Sequence, residues 1–143
     1  MECLGLLGVL GLISVEDIKT HKIKDLAVLL GVVLGFLLHL MFHRISVYNM
    51  LGGIMVGCVL YVISILSEGQ IGKGDALLFM MTGAFLGFAM NIVLMWVASL
   101  CLCVYGGAKV LCKKASMKDR VAFAPFVLAA YIVIFVVQSG AFI

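Results

Sequence analysis

Charge is scarce in this chain. Asp, Glu, Lys and Arg make up 12% of its 143 residues, about half the share of an ordinary soluble domain, so a surface that faces water all round is excluded. Proline occurs once, and no Ser/Pro-rich stretch or charge run interrupts the sequence. Nothing reads as a linker, which leaves one domain over residues 1–143. No repeat of fixed period stands out. The start, Met1-Glu2, has neither the basic segment nor the small-residue cleavage site of a secretory signal, so the first apolar stretch is expected to remain as a span. The cysteines, Cys3, Cys58, Cys101, Cys103 and Cys112, form no C-x-x-C pair and no zinc spacing, and read as reduced packing residues. His39 and His43 share a helix face but lack a third ligand, which favours interfacial anchoring over a metal. No cofactor, metal or nucleic-acid site is expected.

Apolar residues fill the rest. They make up 65% of the chain, with a mean hydropathy of +1.29, which is the composition of an integral membrane protein. A bilayer core of roughly 30 Å asks for about 20 apolar residues per helix. The runs Cys3–Val15, Leu26–Phe42 and Met50–Leu66 supply three spans, the first of them short. The run Ala76–Leu111 would be roughly 54 Å long as a single helix, so it must fold back. Gly87–Asn91, with the one strongly polar side chain in the interior of that run, is the expected turn, giving spans at Ala76–Phe88 and Ile92–Leu111. Val121–Val137 completes an all-α, polytopic fold of six transmembrane helices. Three glycine pairs, Gly31/Gly35, Gly53/Gly57 and Gly83/Gly87, have the spacing that lets membrane helices approach closely.

Loop charge sets the orientation. Lys19, Lys22, Lys24, Lys73, Lys109, Lys113, Lys114, Lys118 and Arg120 flank the odd-numbered loops, and Arg44 alone flanks the even ones. The positive-inside rule then puts the amino terminus outside and the odd loops in the cytoplasm. Two acids end up on the same face: Asp17, closing the first span, and Asp75, opening the fourth after Gly72-Lys73-Gly74. Acids at span ends are expensive, and they read as functional by default. Glu16, Asp25, Glu68 and Asp119 read instead as solvated charges.

Two carboxylates held close together in a poorly solvated site cannot both ionise. The charged member can take a proton from water attacking a peptide carbonyl, and the protonated member can donate to the carbonyl oxygen and then to the leaving amine. The flanking glycines, Gly72 and Gly74, are expected to permit positive φ and close backbone approach, so that an extended substrate could lie beside Asp75. Lys73 is expected to face lipid headgroups. As a phosphate cradle the loop fails, since Lys73 is followed by Gly74 where Ser or Thr is required.

These residues carry a resemblance. Gly72-Lys73-Gly74-Asp75 resembles the G-x-G-D motif of intramembrane aspartyl proteases. Asp17-Ile18-Lys19-Thr20-His21-Lys22-Ile23 resembles the segment around the first aspartate of the type IV prepilin peptidases, and Ala124-Pro125-Phe126 resembles the proline-aromatic step of their last helix. The chain departs from that pattern at Lys24-Asp25, where the family has Pro-Asn, and at Leu77, where a basic residue is usual. The resemblance implies six spans, Asp17 and Asp75 as catalytic residues, and Gly72, Lys73 and Gly74 as the active-site loop. It implies a prepilin or pseudopilin substrate whose short basic leader is cut after glycine at the cytoplasmic face of the inner membrane. The cysteine-bearing domain that accompanies amino-methylation is missing from this sequence, which implies a peptidase without methyltransferase activity, like the short enzymes serving Flp-type pili. The alternatives are a non-catalytic assembly factor of a pilus or secretion system, which would not need both acids, and a small transporter, which would place its acids near the midplane.

Overall fold

The computed structural model describes residues 2–20, 23, 25–42, 45–68, 72–112 and 121–140. His21, Lys22, Lys24, His43, Arg44 and the basic loop carrying Lys113, Lys114, Lys118 and Arg120 lie outside them. Five helices make up the described chain: α1 (Glu2–Thr20), α2 (Asp25–Phe42), α3 (Val47–Leu66), α4 (Lys73–Leu111) and α5 (Ala124–Gln138). Helices α2, α3 and α4 are long and apolar enough to cross a membrane, and α5 is a shorter apolar helix. Their outward faces are apolar too. Leu29, Met55, Trp96 and Val104 are all more than half exposed, an arrangement that water would penalise and hydrocarbon tolerates.

Five helices replace the six expected because the fourth and fifth segments run together as α4. The expected reversal is nonetheless there. Gly87 adopts φ 74° and ψ −175° inside α4, a conformation that glycine enters without steric cost. In a straight helix, Phe79 and Asn91 would stand roughly 18 Å apart along the axis. Instead the Asn91 amide donates to the Phe79 carbonyl at 2.9 Å and to the Gly53 carbonyl at 3.1 Å, and its Oδ1 accepts from the Thr82 hydroxyl at 2.6 Å. Helix α4 is therefore a hairpin of two arms, 73–86 and 88–111. The break leaves Phe88 without its helical acceptor, and Asn49 Oδ1, from the start of α3, accepts that N–H at 2.9 Å.

Small residues set the helix spacing. A side chain at Gly53 would collide with the Gly83 carbonyl, and one at Gly57 with the Met80 backbone, so α3 lies flush on the first arm of α4. Gly31 and Gly35 of α2 take Met81 and Phe85 in the same way. The core draws Leu6, Leu10 and Ile13 from α1, Leu78 and Met81 from the first arm, Leu94 and Ala98 from the second, and Val127 and Ala130 from α5. His39, in the last turn of α2, is buried within the bundle, only 4% exposed. Leu77 packs against this core, which accounts physically for an apolar residue where the related pattern has a base.

Candidate active site

Asp17 continues an apolar stripe. Leu6, Leu10, Ile13 and Ser14 are buried on one face of α1, and a step of three or four residues from the last two reaches Asp17 on the same face. The carboxylate is thus carried into the bundle, where it is 5% exposed. Its Oδ2 accepts the Ala124 N–H at 3.0 Å. That donor is free because the first turn of a helix has no intrahelical acceptors, and Phe123, ahead of α5, offers no side-chain cap. Thr20, last residue of α1, closes its hydroxyl onto the Glu16 carbonyl at 2.8 Å. Thr20 is therefore a helix-end residue, and Asp17 sits in the last turn rather than beyond it.

Asp75 sits in the first turn of α4. Gly72 is the residue ahead of the helix, and its carbonyl accepts the N–H groups of Asp75 and Ala76 at 3.1 and 3.2 Å. The carboxylate folds back over this turn: a Cβ added at Gly72 would lie 2.7 Å from Asp75 Oδ2. A Cβ at Gly74 would lie 2.9 Å from Ile23 Cβ. Neither glycine is in the left-handed region, since Gly72 has φ −61° and positive-φ glycines occur only at Gly87 and Gly140 among the described residues. The expected reason for the two glycines is corrected on this point. They provide room, one for the Asp75 carboxylate and the other for the segment that follows α1. Lys73 is exposed.

These elements meet at one end of the bundle. Ile23 touches Gly74, so the end of α1 and the start of α4 are neighbours. Phe79, one turn along from Asp75, packs its ring 5.8 Å from that of Phe123, the residue before the donor to Asp17. Asp17 and Asp75 accordingly lie at the same end of the bundle. The far end of the hairpin returns to the same place: Tyr105 stacks 5.2 Å from Phe126, and the Lys109 ammonium lies 4.9 Å over the Tyr105 ring. Two half-buried to buried carboxylates from α1 and α4, the amino terminus of α5 and Lys109 thus share one end of an apolar bundle. Such a site can hold water or a polar backbone against acids while apolar side chains exclude bulk solvent.

The model of the type IV leader peptidase family matches residues 4–107. The chain belongs to that family. No curated protein and no solved structure matches it. The matched region contains Asp17 and the whole Gly72–Asp75 turn and stops short of Lys109 and α5. Two features of this leader peptidase relative escape a reading of the sequence. The Ala124 donor could be anticipated only from Pro125, which marks a helix start and hence free N–H groups. Tyr105 and Lys109 are four apart, a spacing that puts them on one helix face, but only the return of the hairpin brings that face to the site.

Proposed function

We propose that the protein is a membrane aspartic endopeptidase, which removes the short basic leader of prepilin-like proteins by cutting after glycine at the cytoplasmic membrane face. What carries the reading is the meeting of Asp17 and Asp75, from opposite ends of the first half of the chain, at one end of the bundle. Asp17 is the base. The Ala124 N–H is accepted by one of its oxygens, which anchors the carboxyl and leaves the other oxygen for the attacking water. Asp75 is the acid that protonates the scissile carbonyl oxygen and then the leaving amine. Gly72, Lys73 and Gly74 form the turn that aims Asp75.

With the two arms of α4 counted separately, this reading takes all six helical segments as crossings, with the amino terminus outside. Lys19, Lys73 and Lys109 all lie at the Asp17 end, which supports a cytoplasmic site in the inner membrane. A basic leader would be held there by anionic lipid, with the apolar helix of the substrate among the spans. No methyltransferase role is proposed. One observation favours a second reading, a non-catalytic assembly factor: Asp17 caps α5, which would keep an acid there without chemistry. Among the described residues no hydrogen bond ties the Asp75 carboxylate to another helix, and its place in the first turn of α4 gives it only the modest stabilisation an acid has there. The test is incubation of the protein in liposomes with a leader-bearing prepilin, followed by mass spectrometry of the product. A single cut after the leader glycine supports the peptidase, and an intact substrate with any plausible leader favours the assembly factor.

A further inference from the structure

One groove lies beside Asp17 without including either acid. It has a volume of about 330 Å³, and its walls include Ile18 from α1, Tyr105 and Lys109 from the second arm of α4, and Ala122, Pro125 and Phe126 around the start of α5. Lys109 is its one charged wall. The ammonium stands 4.9 Å over the Tyr105 ring and makes no ion pair among the described residues. The groove borders the lipid-facing surface, since Ile18 and Val104, the neighbour of Tyr105, are apolar and more than half exposed. Lys109 lies in the last turn of α4. The chain that runs from there to Val121, on another wall, carries Lys113, Lys114, Lys118 and Arg120 against Asp119. An apolar trough with an unpaired cation, at a span end in a basic stretch of sequence, complements an anionic amphiphile.

We propose that this groove binds one anionic phospholipid of the cytoplasmic leaflet, with its phosphate paired to Lys109 and an acyl chain laid along Tyr105, Pro125 and Phe126. Basic clefts between membrane helices on the cytoplasmic side hold such headgroups, and a tyrosine ring suits the border of head and tail. A free inorganic anion would use the lysine and leave the apolar walls uncovered, so the two features together favour a lipid. A bound lipid has a structural consequence. Its chain fills the space between α1, the second arm of α4 and α5, and steadies the start of α5, whose Ala124 N–H holds the Asp17 carboxylate. Lipid binding stands independently of the peptidase reading above, and its effect through Asp17 rests on that reading.

Native mass spectrometry of the full-length protein in detergent reads the binding, with phosphatidylglycerol and phosphatidylcholine titrated in parallel. The wild type should retain one phosphatidylglycerol at least about fivefold more tightly than phosphatidylcholine, which is what one basic residue contributes near a membrane surface. Lys109→Gln should erase that preference. Lys19→Gln, which removes an exposed lysine at the same end, should keep it. Ala122→Phe, which fills the groove, should lose the retained lipid although Lys109 is intact. Equal loss in Lys19→Gln and Lys109→Gln would overturn the proposal, because the attraction would then be diffuse. Displacement of the lipid by inorganic phosphate would overturn it too, since a bare anion would suffice. The consequence for Asp17 is read from cleavage of a leader-bearing prepilin in neutral liposomes, with and without added phosphatidylglycerol. The lipid should lower KM for the wild type and Lys109→Gln alike, by attracting the basic leader, but should raise kcat in the wild type alone, in proportion to occupancy of the groove. A kcat that rises equally in both would overturn the effect through Asp17. If the wild type cuts nothing, the peptidase reading fails, and the mass spectra still decide whether the groove binds lipid.

Discussion

A carboxylate that caps a helix and one that activates water make different demands on the same side chain. Asp17 is in a position to do both, and substitution separates them. Asparagine keeps an oxygen that can accept the Ala124 N–H but cannot take a proton from water, so Asp17→Asn should abolish cleavage with little change in melting temperature. Asp17→Ala removes the cap as well, and should lower stability by about 0.5–2 kcal/mol, the usual worth of a helix cap. Thermal unfolding in detergent, monitored by circular dichroism, distinguishes the two. Gly72→Ala tests the partner. Its methyl would meet Asp75 Oδ2 at 2.7 Å, so the carboxylate must move, and a displacement on that scale costs roughly 100-fold in rate. The fold should survive, because the atom in the way is the free end of a side chain. Equal kcat/KM for Gly72→Ala and wild type would show that the glycine is not there for the acid. The sequence named both aspartates and both glycines, since acids at span ends and a G-x-G-D turn are local features. It did not reveal what the glycines make room for, because Ile23 and the folded-back carboxylate are matters of tertiary placement.

At the scale of elements, the α4 hairpin is held by one polar side chain. Asn91 is fully buried and spends its amide on the Phe79 and Gly53 carbonyls and its carbonyl on Thr82. In a setting without competing water, such groups are costly to leave unpaired. Asn91→Leu, close in volume, should destabilise the protein by about 1–3 kcal/mol, seen as a lowered melting temperature, and should loosen the contact between α3 and α4. An unchanged melting temperature would contradict this role. The position of the reversal was legible in the sequence, because a run too long to cross once and a lone asparagine within it leave few other places to turn. The tightness of the turn was not legible. The break occupies Gly87 alone, so helical backbone angles resume at once and the two arms read as one helix. The unpaired N–H of Phe88 is taken up by Asn49, which is 39 residues away, and no local pattern announces that.

For the whole molecule, the account requires α1, both ends of α4 and the start of α5 to converge. Spin labels on Lys73 and Leu111, both exposed, test this directly. A straight α4 would separate them by roughly 57 Å, whereas a hairpin holds them at well under half of that, and a pulsed dipolar measurement reads the difference. The fold class, the membrane composition and the acids of the site are written in composition and spacing. The cavity beside Asp17 is not, because its walls come from segments some hundred residues apart, Ile18 on one side and Pro125 and Phe126 on the other. The central claim remains that Asp17 and Asp75 act as one catalytic pair. The most direct test is cleavage of a leader-bearing prepilin by wild type, Asp17→Asn and Asp75→Asn in liposomes, with folding checked for each. The account predicts that the wild type releases the leader and that both folded variants release none; a folded variant that cuts at the wild-type rate would contradict it.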